Sequence, residues 1–171
     1  ELDPNSPHTS TLFGTELTAG LKNNILLAGA PPLVHGAKYS LEFNGIDIAG
    51  NVATPVIITN VSYNSQPPTI TGTTPIPNSY VNHKKVSYTL SENFAVGQIR
   101  WTRNDGADDF NSPHIMDLVG AELTAGAHDD ILITNLPNLV DGTRYQVRFS
   151  GTDMAGNVAV AISNNYVGYD I

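Results

Sequence analysis

The stretch Asn104-Asp105-Gly106-Ala107-Asp108-Asp109 crowds three carboxylates around one glycine. Carboxylates so close together can wrap a hard cation such as Ca²⁺, which takes six to eight oxygen ligands. The stretch is not an EF-hand, because the glutamate that closes such a loop is missing. The plainer reading is a solvated acidic loop. Two more aspartates, Asp47 and Asp153, each head the sequence Asp-x-Ala-Gly-Asn. There an aspartate accepts backbone N–H groups within a turn, while Gly50 or Gly156 takes a positive φ. Asp129-Asp130 is a weaker candidate. His8 and His114 both follow Asn-Ser-Pro. A transition metal on either would need further ligands, so each is read as a packed or hydrogen-bonded imidazole. No nucleophile elbow, zinc-protease helix or phosphate loop is present, and an enzyme is not expected.

Composition narrows the partners. With 8 Lys and Arg against 16 Asp and Glu, and a net charge of −8, the chain has no basic cluster for nucleic acid and little attraction for anionic membranes. No apolar run reaches membrane-spanning length, so no membrane insertion is expected. The absence of cysteine removes disulfides, thiolate metal sites and a cysteine nucleophile. An apolar content of 40% is ample for a packed core. The opening Glu1-Leu2-Asp3-Pro4 reads as the interior of a longer polypeptide.

These residues belong to a repeat. Asn5-Ser6-Pro7-His8 recurs as Asn111-Ser112-Pro113-His114, and Glu16-Leu17-Thr18-Ala19-Gly20 recurs as Glu122-Leu123-Thr124-Ala125-Gly126. Tyr39 matches Tyr145, Phe43 matches Phe149, and the run from Asp47 to Ala53 matches that from Asp153 to Ala159. The offset is 106 residues throughout, no gap is needed, and roughly half the aligned positions are identical. Residues 66–171 therefore form one whole unit. Residues 1–65 hold only the later part of another, with no counterpart of 66–106. Asp129-Asp130 loses weight here, since the first copy has Asn23-Asn24.

The elements that must position these residues are strands. Tyr145, Val147 and Phe149 alternate with Arg144, Gln146 and Arg148, a period of two with one buried face. The turn Asp141-Gly142-Thr143 precedes this strand, and the Asp153 turn leads from it into a return strand, which makes a hairpin. The whole unit reads as seven strands: near 68–71, 85–90, 98–103, near 115–119, 131–133, 144–152 and 157–167. Ile99 and Trp101 point inward, so Trp101 is a core residue rather than a sugar-stacking platform. No stretch has helical periodicity. The expected class is all-β.

The pattern Leu139-x-x-Gly142-Thr143-x-Tyr145-x-Val147 resembles the E–F corner of fibronectin type III domains. The segment Asp153-Met154-Ala155-Gly156-Asn157 resembles the last hairpin of Ig-like repeats in large bacterial surface and secreted proteins. The resemblance implies an antiparallel β-sandwich repeated every 106 residues. Tyr39 and Tyr145 become tyrosine corners, with the ring inside and the hydroxyl bonded to backbone a few residues upstream. Asp47, Gly50, Gly156 and Trp101 take structural places. It further implies an extracellular or cell-surface spacer or adhesive stalk whose partners are neighbouring repeats and a surface glycan or protein. In acidic adhesin repeats of this kind Ca²⁺ rigidifies the junctions, which makes Asp105, Asp109 and Asp153 the candidate metal ligands. The rival class is a carbohydrate-binding or accessory module of a secreted polysaccharide-degrading enzyme, which needs an exposed row of aromatics.

Residues 1–65 raise a physical problem. Without the first strands of a unit, they expose sheet edges and half a core. Borrowing residues 66–106 from the same chain would require the linker to join opposite poles of a sandwich, several nanometres apart, whereas five residues reach at most roughly 17 Å. The expectation is a partial domain completed by another molecule; a truncated piece or a smaller sheet standing alone are the alternatives.

Overall fold

A computed structural model describes residues 2–171. The chain divides into two compact units, Glu1–Ser65 and Gln66–Ile171. Both are built mainly of antiparallel strands with short 3₁₀ turns, and no α-helix occurs among the described residues. The chain is all-β.

In the first unit a 3₁₀ turn at Gly14–Leu17 precedes two strands, β1 (Lys38–Phe43) and β2 (Val56–Ser62). They form a two-stranded antiparallel sheet in which Lys38 faces Ser62 and Phe43 faces Val56. Among the described residues the other edge of β1 has no partner strand.

The second unit contains β3 (Ile70–Thr74), β4 (Tyr80–Val81), β5 (Val86–Leu90), β6 (Phe94–Gly106), β7 (His114–Asp117), β8 (Gly126–Ile131), β9 (Thr143–Asp153) and β10 (Ile162–Tyr169), with a 3₁₀ turn at Gly120–Leu123. They form a five-stranded sheet ordered β4-β10-β9-β6-β7 and a three-stranded sheet ordered β3-β5-β8. The two sheets share one core. Val86, Tyr88 and Leu90 come from one sheet, and Ile99, Trp101, Tyr145, Val147, Phe149 and Val167 from the other. Burying each of the larger side chains contributes about 1.5–3 kcal/mol. In β9, Thr143, Tyr145, Val147 and Phe149 are buried while the residues between them reach the surface, as a period of two requires.

Several strand limits differ from the sequence reading, each for an identifiable reason. β6 runs for 13 residues rather than six, because it pairs with β9 from Phe94↔Asp153 to Gly106↔Thr143 and the ladder carries polar residues along with it. β8 ends where a strand over 131–133 was expected to start. Ile133 is still a core residue, but it enters from a loop. The return strand is ordered from Ile162 rather than 157, and only a single bridge, Thr152↔Val158, marks the start of the hairpin. β4 was not anticipated. It is two residues long and parallel to β10, so no alternation could reveal it.

Candidate functional site

The chemistry-bearing residues collect where the chain enters β9. Tyr145 is fully buried. Its hydroxyl accepts a hydrogen bond from the Val140 amide at 2.9 Å and donates one to Asp109 Oδ2 at 2.7 Å. His114 Nε2, at the start of β7, lies 2.7 Å from the same Oδ2, and the Asn111 amide donates to Oδ1 at 3.0 Å. The Asp109 carboxylate is thus held by three donors. Burial alone pushes its pKa up, but the bonds from Tyr145, His114 and Asn111 outweigh burial and hold it below the usual carboxylate range. Burial, with the neighbouring Asp109, pushes the Tyr145 hydroxyl up to about 12. Trp101 packs its edge against the Tyr145 ring at 5.9 Å between centroids, and is itself fully buried.

The corner recurs in the first unit. Tyr39 accepts from the Val34 amide at 2.9 Å and donates to Asp3 Oδ2 at 2.6 Å, His8 Nε2 lies 2.6 Å from Oδ2, and the Asn5 amide donates to Oδ1 at 3.0 Å. The bond from Tyr39, then that from His8, holds Asp3 below its ordinary pKa.

Two other pairs of carboxylates follow the same rule. Glu122 is nearly buried and accepts the amides of Val119 and Thr134 and the Thr134 hydroxyl, tying the 3₁₀ turn to the chain that follows β8. Glu16, its counterpart, accepts the amides of Phe13 and Ala28. Asp153 is almost fully buried and accepts the amides of Ala155 and Asn157 and the Asn157 side-chain amide, each at 2.8 Å. These bonds overcome burial and lower its pKa. Asp47 holds Asn51 in the same way.

The acidic stretch after Trp101 is therefore not one site but three separate environments. Asp105 is exposed near the end of β6, opposite Arg144 in the ladder. Asp108 pairs with Arg103 at 2.8 Å, and the Arg103 guanidinium also donates to the carbonyls of Gly106 and Ala107. Asp109 turns inward to Tyr145. Among the described residues no three His, Cys, Asp or Glu side chains lie together as metal ligands, so Asp105, Asp109 and Asp153 are not brought into one shell. Gly50 and Gly156 take φ of 91° and 89° in their turns. Their Asp-Gly-Asn turns close with the Asp47 and Asp153 amides donating to the carbonyls of Asn51 and Asn157.

Sequence reasoning passed over Asp3 and over the partnership of Asp109 with Tyr145 and His114. The signal was available: Asp3 and Asp109 stand at the same 106-residue offset as the tyrosines and histidines. Glu16 and Glu122 were likewise visible as repeat matches without an assigned role. No protein-family model matches the chain, and no curated protein matches it in sequence.

Proposed function

We propose that the chain is a non-catalytic tandem β-sandwich module, Ig-like or fibronectin III-like, of a large bacterial extracellular protein, and that it acts as a structural spacer or adhesive stalk. One observation carries the reading. The buried carboxylates that could have done chemistry, Asp109, Glu122 and Asp153, are each held by donors of the protein itself. Asp3, Glu16 and Asp47 repeat the arrangement 106 residues earlier. A set of residues used in the same way in each copy serves the copy's fold. The strand order supports the same reading. The order β3-β5-β8 in one sheet and β10-β9-β6 in the other is compatible with an Ig-type assignment of A, B, E and G, F, C, in which Tyr145 would take the E–F corner.

In this role the mechanism is mechanical. Each complete 106-residue repeat folds on its own core, and Pro67 and Pro68 each fix φ where such a repeat begins. Small-angle scattering on one, two and four fused copies of residues 66–171 tests it. A spacer gives a radius of gyration that grows nearly in proportion to copy number. Growth with its square root, the behaviour of a freely jointed chain, would sink the reading.

A carbohydrate-binding role is the second reading, and one feature favours it. Exposed Tyr80 lies beside a groove of about 420 Å³ lined by Asp105, Arg144 and Asp170 among others. The Arg144 guanidinium is 5.4 Å from the Tyr80 ring centre and hydrogen-bonds the tyrosine hydroxyl. Titration with soluble oligosaccharides, repeated on Tyr80→Ala, separates the two readings. Saturable binding that the substitution abolishes would place the chain among glycan binders.

A further inference from the structure

The first unit leaves open the surface that the second unit closes. Phe43 is 54% exposed and Leu41 37%, whereas their counterparts Phe149 and Val147 are 2% and 0% exposed. An open groove beside them is lined by Leu12, Ile25, Leu27 and Phe43. The equivalent residues 106 positions on are Leu118, Ile131, Ile133 and Phe149, which belong to or pack against the core. In the second unit the partners that close this core, among them Tyr88, Leu90, Ile99 and Trp101, all come from 66–106. The edge of β9 that corresponds to the free edge of β1 is occupied there by β6.

We propose that the apolar face and free edge of β1 are the docking site for a polypeptide stretch equivalent to residues 66–106, which adds a β6-like strand antiparallel to β1. This rests on the repeat part of the reading above and not on the spacer role. The register follows from the β6–β9 ladder: an Ile99 equivalent opposite Phe43, a Trp101 equivalent opposite Leu41, and an Asp105 equivalent opposite Lys38, as Asp105 faces Arg144. Main-chain pairing along an open edge supplies affinity, and pockets for alternate side chains supply specificity. A folded second copy does not fit this role, because its own 66–106 is already committed to its own core.

The experiment joins a second copy of residues 66–106 directly before Glu1 of the full chain, reproducing the Gly106–Ala107 connection. Amide hydrogen exchange is then followed in Lys38–Phe43, with Thr143–Asp153 as the internal reference. The expected result is exchange in β1 slowed by about 100-fold or more, the difference between an open edge and a strand inside a sheet. Phe43→Asp in the joined protein should abolish the slowing, and Phe43→Leu should keep it. Unchanged exchange in β1, with β9 protected as before, overturns the proposal. So does slow, concentration-dependent exchange of β1 in the unextended chain at a dimeric mass, which would make a second copy the occupant. Neither outcome bears on the scattering of fused 66–171 copies, so the spacer reading stands or falls separately.

Discussion

The Tyr145 hydroxyl donates to Asp109 across 36 residues of chain, at 2.7 Å and out of contact with solvent. That bond joins the start of β9 to the loop between β6 and β7, and His114 adds a second clamp on the same carboxylate oxygen. The aspartate that sequence patterning offered as a cation ligand anchors a corner.

Tyr145→Phe removes the donor to Asp109 and the acceptor of the Val140 amide while keeping the ring. Left without partners, those buried groups make the change destabilising by about 1–3 kcal/mol. Urea denaturation of residues 66–171 should show a lower midpoint at an unchanged slope. An unaltered midpoint would mean the corner contributes nothing.

Acid and alkali should weaken the corner from opposite sides. Asp109 has a lowered pKa in the folded state, so its contribution is fully present above the ordinary value of 3.8 and is lost as pH falls through the folded value. The acid-side loss of stability should be shallower in Asp109→Asn than in the parent protein. The Tyr145 hydroxyl is raised from 10.0 to about 12, so its contribution is complete below pH 10 and fades as pH rises towards 12. Tyr145→Phe should flatten that alkaline limb. Parallel pH profiles for parent and variants would contradict both expectations.

Gly151 lies on β9 beneath Phe94. A Cβ there would come within 2.3 Å of the Phe94 ring and 2.6 Å of the Val96 carbonyl. Gly151→Ala should therefore destabilise by about 1–3 kcal/mol through overpacking. Gly106 is more constrained still, with φ at +78° and the Gly142 carbonyl 2.3 Å from an added Cβ. Gly106→Ala should lower the melting temperature at least as far. A variant that melts with the parent would show that the strand can shift to make room.

Millimolar Ca²⁺ against EDTA should leave the melting temperature of the full chain unchanged, because Asp109 and Asp153 are already held by internal donors. A rise of several degrees with Ca²⁺ would show ion binding coupled to the folded state and restore the carboxylates as ligands.

The all-β class was legible in the alternation of Tyr145, Val147 and Phe149 and in the turn residues around them, because a half-buried strand imposes its period on the chain locally. The placing of Trp101 in the core followed from the same period. β4 escaped because two residues cannot show a period. The length of β6 escaped because its outer half is held by ladder hydrogen bonds to β9, which any side chain permits.

The 106-residue offset and the tyrosine and glycine positions of each corner are written in the order of residues, since identity and spacing need no coordinates. Which carboxylate faces solvent and which turns inward depended on tertiary structure. Asp105, Asp108 and Asp109 are near neighbours in sequence, yet one ends in water, one on Arg103 and one under Tyr145. The fate of Asp109 was decided by Tyr145, 36 residues further along the chain, and that partnership is not encoded in local spacing.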